Sequence, residues 1–376
     1  MAKSEKKVDL LQQVKEDLPE GTHLLEVDNL KMFFHTKDGI VKAVNGVNYT
    51  LDKGETLGIV GESGSGKSVT AMTIMGLIQM PPGKVEGGDV RFKGKSILSL
   101  SEKQMRSIRG RDIAMIFQDP MSSLNPVYKI GDQVAEGLRV HYGMKKKDAL
   151  NRAIELLDMV GIPNPELRIK EYPHQFSGGM RQRVMIAMAL ACNPDIIIAD
   201  EPTTALDVTI QAQILELMME MQEKNGNAII MITHDLGVVA NMADKILVMY
   251  AGTPVEYGSA DEIFYESRHP YTWGLIRSIP EQQMEEKKKL TPIQGNPPSL
   301  VHVPKGCSFS PRCPYATSIC HEKQPEQHFV GDHHYATCHF AFDEDFILKH
   351  RPETSRSTKL EYATGDAEQL LDDEVK

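Results

Sequence analysis

Short apolar runs bounded by turn residues predict strands near the start of the chain. Residues 24–27, 30–34 and 41–51 are rich in branched and aromatic side chains, and Asp38-Gly39 and Asp52-Lys53-Gly54 separate or end the later runs. Such runs between turn signals are typical of antiparallel strands. We expect a further run at residues 89–94 to join the same sheet.

Helical patterns and buried strands then alternate. Residues 96–110, 121–190 and 209–224 predict helices, with strong periodicity from 149 to 160. The runs at 56–60, 112–117, 194–199, 228–232 and 245–249 are almost uniformly apolar. This is the pattern of parallel strands covered on both faces. Strands that alternate with helices predict an α/β core with a parallel sheet.

Composition and charge narrow the class of protein. The 376 residues suffice for one large domain and an appendage. No apolar run approaches the ~18 residues of a membrane span, and the charged first twenty residues lack a signal core. An intracellular protein with reduced cysteines is therefore predicted. The formal net charge of −10 argues against nucleic acid as the main partner.

A glycine-rich segment follows the strand at 56–60 and precedes a helical run at 69–75. Its eight residues match the phosphate-binding P-loop pattern: Gly61-Glu62-Ser63-Gly64-Ser65-Gly66-Lys67-Ser68. Glycines let backbone N–H groups approach a polyphosphate at the positive end of the helix. Lys67 is predicted to reach the β- and γ-phosphates of a nucleotide, and Ser68 to bind Mg²⁺.

Two carboxylates end the apolar run at 194–199. In P-loop enzymes an acid at the end of such a strand completes the Mg²⁺ site, and Asp200 fits that role. Glu201 is then free to face a water molecule beside the γ-phosphate. Taken alone, the pair is equally compatible with two solvated acids at a strand end.

A second glycine pair, Gly178-Gly179, follows Ser177 and precedes a long helical run. Backbone N–H groups at this helix N-terminus predict a second anion site, although an ordinary loop and helix start would look similar. One nucleotide rarely needs two phosphate cradles from one face of one chain. Two chains placed head to tail would use both.

Together these motifs resemble the nucleotide-binding subunits of ATP-binding-cassette (ABC) transporters, over about residues 24–260. The resemblance implies that Asp200 is the Walker B acid, Glu201 the catalytic glutamate and His234 the switch histidine. It implies ATP and Mg²⁺ as cofactors, with Mg²⁺ held by Ser68, Gln118 and Asp200. Beyond the P-loop, it implies nucleotide contacts from a dispersed set: Phe34, Gln118, Ser177, Gly178, Gly179 and Asp207.

Two segments restrict the resemblance to one subfamily of these transporters. Residues 117–126 and 269–280 are similar to segments of oligopeptide and dipeptide importers, and in particular to their D-type ATPase subunit. The resemblance implies a peripheral protein on the cytoplasmic side of the cell membrane. It would act beside a paralogous F-type ATPase, two transmembrane permease subunits and an extracytoplasmic peptide-binding protein, without nucleic acid.

Four cysteines lie beyond residue 300 with the spacing C-x5-C-x6-C-x17-C: Cys307, Cys313, Cys320 and Cys338. Four thiolates suit a [4Fe–4S] cluster or zinc, and His321, His333, His334 and His339 keep zinc open. The surrounding sequence resembles a segment of this subfamily that carries a [4Fe–4S] cluster, which we favour. Cys192 lies in an apolar helical run and is predicted to be a core residue.

The resemblance implies an α/β P-loop core with a parallel sheet, an antiparallel β subdomain, a helical signature subdomain and a small irregular C-terminal metal-binding extension. We expect a polar tail at 1–21, the ATPase domain at 22–260, the extension at 261–345 and a mobile charged tail at 346–376. ATP hydrolysis that energises oligopeptide uptake is the expected function. Dipeptide, nickel, glycoside or antimicrobial-peptide cargo, and a non-transport ABC ATPase, stay as alternatives.

Overall fold

The computed structural model of the chain describes residues 18–19, 21–203, 208–279, 293–331 and 333–352. Its strands are β1 (Leu25–Thr36), β2 (Gly39–Leu51), β3 (Thr56–Val60), β4 (Gly83–Phe92), β5 (Lys95–Ser96), β6 (Ile113–Ile116), β7 (Ile196–Asp200), β8 (Ala228–Thr233), β9 (Lys245–Tyr250), β10 (Thr253–Ser259), β11 (His328–Phe329) and β12 (Tyr335–Ala336). Its helices are α1 (Lys67–Ile74), α2 (Glu102–Ile108), α3 (Pro120–Ser123), α4 (Ile130–Tyr142), α5 (Lys146–Met159), α6 (Pro165–Arg168), α7 (Gly178–Leu190), α8 (Val208–Asn225), α9 (Leu236–Met242), α10 (Ala260–Tyr265), α11 (Pro270–Arg277), α12 (Ser318–Glu322) and α13 (Glu344–His350).

The larger sheet has eight strands in the order β11-β12-β10-β9-β3-β8-β7-β6. The five strands from β9 to β6 run parallel, which confirms the predicted parallel core. In β8, Ile229 and Met231 join the core shared with the helices, whereas Ile230 and Ile232 join the core shared with the second sheet. Successive side chains of a strand point to opposite faces, so a strand covered on both faces must be apolar throughout.

The second sheet is antiparallel, with the order β2-β1-β4-β5. The two apolar runs at 24–27 and 30–34 were expected as separate pieces, but they form one strand, β1. The pairing register shifts between Val27 and Leu30, and Asn29 between them has φ 46°. Asparagine tolerates this left-handed conformation, so the chain makes a bulge there and continues as a strand.

The predicted helical regions are confirmed, although the structure divides one of them into several helices and shortens another. The region 121–190 contains α3 to α7 and one short 3₁₀ turn at Pro173–Gln175. The helix expected at 96–110 is shorter, because Ser101 caps it: Ser101 and Gln104 form a capping box at the start of α2. No helix in the described ranges is both long and apolar enough to cross a membrane.

The C-terminal extension is less irregular than the sequence predicted. Strand β12 pairs with β10, and β11 pairs with β12, so the extension continues the main sheet at its edge. Each of these two strands has only two residues. Sequence periodicity cannot reveal a strand of this length, since alternation needs at least ~4 residues to be recognised.

A buried glutamate fastens the extension to the core. Glu256 of β10 is fully buried, and its carboxylate accepts hydrogen bonds from the backbone N–H groups of Arg268 and His269, at 2.5 and 3.2 Å. Its Oε1 also lies 3.0 Å from Nε2 of the buried His334. One side chain therefore joins β10, the approach to α11 and the approach to β12.

We expect Glu256→Ala to destabilise this region strongly, because two backbone N–H groups and His334 lose their buried partner. The loss should be about 3–5 kcal/mol of unfolding free energy, since each buried polar group left without its partner costs ~1–3 kcal/mol. Urea denaturation measures it. Glu344→Gln, which removes the exposed ion pair with Arg268, is the matched control and should cost under ~1 kcal/mol. A Glu256→Ala loss as small as the control's would contradict this account.

Candidate functional site

The predicted site residues follow four neighbouring parallel strands at one edge of the sheet. The P-loop follows β3, Gln118 follows β6, Glu201 follows β7 and His234 follows β8. Parallel strands present their carboxyl ends at the same edge, where ligands bind in open α/β sheets. The fold thus brings together residues that lie up to 173 positions apart, from Gly61 to His234.

The P-loop leaves no room for side chains at two of its glycines. Gly61 has φ 151° and Gly66 has φ 101°. A Cβ at Gly61 would collide with the carbonyl oxygen of Met249, and one at Gly66 with that of Ala43. The loop is therefore held tightly against β9 and β2, and α1 begins directly after it at Lys67. A helix N-terminus that follows such a loop is a ready anion site.

The ammonium group of Lys67 is turned into the loop. Its Nζ donates to the carbonyl oxygens of Gly61 and Glu62, at 2.7 and 3.1 Å, and the residue is 5% exposed. Burial lowers the pKa of Lys67, while the nearby carboxylates of Glu201, Asp200 and Glu62 raise it. A cation so placed lies within reach of a phosphate bound by the loop.

Ser68 and Asp200 form the pair expected for a magnesium site. The hydroxyl of Ser68 donates to Oδ1 of Asp200 at 2.9 Å. Neighbouring ligands of an octahedral Mg²⁺, each at about 2.1 Å, lie roughly 3 Å apart, so this spacing fits. Burial raises the pKa of Asp200, and the Ser68 hydrogen bond opposes this shift. Beside nucleotide phosphates, Mg²⁺ is usually bound by only one or two protein carboxylates, so the pair is compatible with the predicted site.

Glu201 lies between two of the predicted site residues. Its Oε2 accepts a hydrogen bond from Nε2 of Gln118 at 2.8 Å, and its Oε1 lies 3.5 Å from Nδ1 of His234. The backbone of Glu201 has φ 47°, a conformation that non-glycine residues rarely adopt and that clusters at functional sites. Its N–H donates to the carbonyl of Ile232 in β8 at 2.8 Å, which holds that conformation.

The remaining predicted nucleotide contacts that the structure describes lie on other elements. Ser177 caps α7, its side chain accepting from the N–H of Met180 at 3.3 Å, so Ser177–Gly179 form a separate helix start. Phe34 pairs with Val41 and Gly83 in the second sheet, and its adenine contact stays a prediction. Asp207 lies outside the described residues.

The four C-terminal cysteines line one cavity. Its lining also contains His269, Phe309 and Phe340. Burial raises the pKa of the Cys313 thiol to about 11 and that of Cys338 to about 12. Backbone N–H groups of Tyr315 and Phe340 point at these two sulfurs and oppose the shift. Cys192 is buried, with its sulfur beside Gly137 of α4, which confirms the prediction of a core residue.

Two residues that touch the P-loop were missed in the sequence. Arg312, next to Cys313, and Tyr271, in α11, both contact Glu62. Both stand inside segments singled out for their likeness to peptide importers. No local pattern connects either of them with a loop more than 200 residues away.

Two family models match the chain. The ABC transporter model matches residues 44–204, and the model of the oligopeptide/dipeptide transporter C-terminal region matches residues 255–320. The chain is 59% identical to the oligopeptide transport ATP-binding protein OppD of Bacillus subtilis, covering 84% of this chain and 88% of that protein. It is 50% identical to the dipeptide transport ATP-binding protein DppD of Escherichia coli, covering 85% and 98%.

The chain is also similar in fold to solved structures of ATP-binding cassettes. The dimeric ATP-binding cassette MJ0796, in a post-hydrolysis state bound to ADP and Pi, is 30% identical, with a TM-score of 0.57 over 63% of this chain and 98% of that one. Fold and site thus define an ABC ATPase cassette. The chain belongs to the oligopeptide and dipeptide transporter family of ABC ATP-binding proteins.

We expect Glu201→Gln to bind ATP but to hydrolyse it far more slowly, because the amide cannot accept the proton of the attacking water. A positioned acid or base typically contributes ~10²–10⁴ in rate. Single-turnover hydrolysis and equilibrium ATP binding measure the two effects. His234→Ala should also slow hydrolysis, since His234 faces the same carboxylate. Wild-type turnover in either variant would remove that residue from the catalytic site.

Proposed function

We propose that this protein is the ATP-hydrolysing subunit of an importer that takes up oligopeptides, and that it binds peripherally on the cytoplasmic side of the cell membrane. The observation that carries the proposal is the convergence of the Ser68–Asp200 pair with Glu201, Gln118 and His234 beside the P-loop. The relatives named for oligopeptide and dipeptide transport support the cargo class.

In the proposed reaction, water attacks the γ-phosphorus of ATP and the bond to the β-phosphate oxygen breaks, giving ADP and phosphate. Glu201 accepts the proton of the attacking water, while Gln118 and His234 hold its carboxylate in place. Lys67 leaves the two loop carbonyls and binds the β- and γ-phosphates. Ser68 and Asp200, with Gln118 as the further ligand that the resemblance implies, would hold Mg²⁺, which would neutralise phosphate charge.

We propose that two ATPase chains cooperate. The P-loop and Ser177–Gly179 are separate anion-binding segments, and no described hydrogen bond joins them within the chain. A nucleotide between two chains placed head to tail would use both, with Asp207 and Phe34 as further contacts. The resemblance to the D-type subunit makes a paralogous F-type ATPase the proposed partner, on two transmembrane permease subunits fed by an extracytoplasmic binding protein.

Peptide import is tested by deleting the gene in a strain that needs one amino acid, supplied only within defined oligopeptides. Growth should be lost, because import lacks its ATPase, and should return with the wild-type gene and with Glu344→Gln. Glu201→Gln should fail to restore it, although its protein accumulates. Unimpaired growth on oligopeptides, with lost growth on dipeptides or under nickel limitation, would instead support the other cargo classes.

We further propose that Cys307, Cys313, Cys320 and Cys338 hold a [4Fe–4S] cluster with a structural role. All four line one cavity, and four thiolates suit such a cluster. Within the described ranges, no three His, Cys, Asp or Glu side chains converge enough to hold one metal ion, so the proposal rests on the shared cavity and on the resemblance of this segment.

The environment of the thiols also suits a cluster. Burial raises the pKa of Cys307, but the backbone N–H groups of Phe309 and Ser310 point at its sulfur, and that of Phe340 donates to Cys338 Sγ at 3.5 Å. Hydrogen bonds to sulfur stabilise and tune such clusters. Two of the histidines considered as zinc ligands have other partners. His334 contacts Glu256, and His339 Nε2 lies 2.9 Å from the carbonyl oxygen of Lys323.

Protein purified without oxygen should be brown and contain about four iron atoms per chain, one for each thiolate of the cluster. Iron and zinc analysis with absorption spectra measures this. Cys320→Ser should lower the iron content, whereas Cys192→Ala, the matched control outside the cavity, should retain it. Colourless protein with one zinc atom per chain would refute the cluster.

A further inference from the structure

The second residue of the P-loop, Glu62, is held by the C-terminal extension. The guanidinium of Arg312 donates from Nη1 to Oε2 at 2.5 Å and from Nη2 to Oε1 at 2.9 Å, a two-pronged ion pair. The backbone N–H of Glu62 donates to the hydroxyl of Tyr271 at 2.9 Å. Side chain and backbone of one loop residue thus depend on a region more than 200 residues further along the chain.

Arg312 is itself tightly placed. Its side chain is 4% exposed, and its Nε donates to the carbonyl of Gln294 at 2.8 Å. The guanidinium lies 5.7 Å from the ring centre of Tyr250, whose hydroxyl accepts from Nη1 at 3.3 Å. A planar guanidinium with its donors engaged has little freedom to leave a carboxylate.

The cysteine segment provides the support behind this contact. Phe309 packs its ring against Tyr250 and Tyr271, with ring centres 5.2 and 5.3 Å apart. Phe309 also lines the cysteine cavity, and Arg312 immediately precedes Cys313. The residues that hold Glu62 are therefore positioned by the fold of the cysteine segment.

The charge of Glu62 makes the contact matter for nucleotide binding. The loop has to hold a polyphosphate, and a carboxylate beside it repels that anion. The carbonyl of the same residue accepts from Lys67, at 3.1 Å. Without Arg312, the Glu62 carboxylate would leave an uncompensated negative charge in the loop. The backbone of Glu62 would also be less firmly held, and so would Lys67, which donates to its carbonyl.

We propose that Arg312 is a positioning residue for the nucleotide site: through Glu62 it fixes the P-loop and neutralises the one acidic side chain within it. The extension is then part of the ATP-binding unit. This inference rests on the ATP-site assignments proposed above, and a measurement of ATP binding by the wild-type protein tests those assignments first.

The test compares Arg312→Gln, Glu62→Gln and the double variant, each in the complete transporter. Binding of ATPγS with Mg²⁺ and the KM and kcat for ATP are measured. Arg312→Gln should weaken binding by about fivefold or more, the lower end of typical coupling between two sites. KM should rise with kcat near the wild-type value, because binding of ground state and transition state is lost equally.

Removing the carboxylate as well distinguishes charge from structure. The double variant should bind ATPγS more tightly than Arg312→Gln, because the loop no longer carries an unpaired anion. Arg312→Lys should be intermediate, since lysine keeps the charge without the two-pronged geometry. Glu344→Gln breaks an ion pair elsewhere in the extension and is the control, with binding as in wild type.

Two results would overturn the inference: wild-type affinity in Arg312→Gln, or a double variant no better than Arg312→Gln. If Arg312→Gln does not fold, Tyr271→Phe removes only the hydroxyl bound to the Glu62 N–H and should still raise KM; an unchanged KM there also overturns it. A wild-type protein that binds no ATP would instead refute the site assignment itself.

Discussion

The structure depends on the burial of its central parallel strands on both faces. Strands β3, β7 and β8 contribute alternate side chains to two cores, one under the helices and one under the antiparallel sheet. Polar side chains are disfavoured in the middle of such strands, because burying a polar group without a hydrogen-bond partner costs free energy. They gather where the strands end, and the residues around Glu201 and the P-loop therefore meet at one edge.

At that edge, opposite charges are held close without neutralising one another completely. Lys67 is surrounded by the carboxylates of Asp200, Glu201 and Glu62, and burial disfavours the charged forms of Lys67 and Asp200 alike. Each charge is nonetheless anchored by hydrogen bonds: Lys67 to loop carbonyls, Asp200 to Ser68 and Glu201 to Gln118. The proposed ATP and Mg²⁺ site needs this combination, a cation that can bind phosphate and a carboxylate that can bind the metal.

The extension is joined to the cassette at three levels. Its strands continue the main sheet, Glu256 binds its backbone from the core, and Arg312 reaches the P-loop. A region expected to be a separate, irregular appendage thus shares the sheet and touches the site. The division into domains at 22–260 and 261–345 stays a prediction, and these contacts show that the two segments are packed together.

The sequence alone determined the features that depend on neighbouring residues. The strand, glycine loop and helix around the P-loop, the apolar strands with their terminal acids and the start of α7 are local patterns, and the structure confirms these elements. Tertiary structure decided the rest: the continuity of β1, the two-residue strands of the extension and the ion pair between Glu62 and Arg312, which are 250 residues apart. Contacts of this kind arise from how packed elements are juxtaposed, and no periodicity or short motif in the chain encodes that juxtaposition.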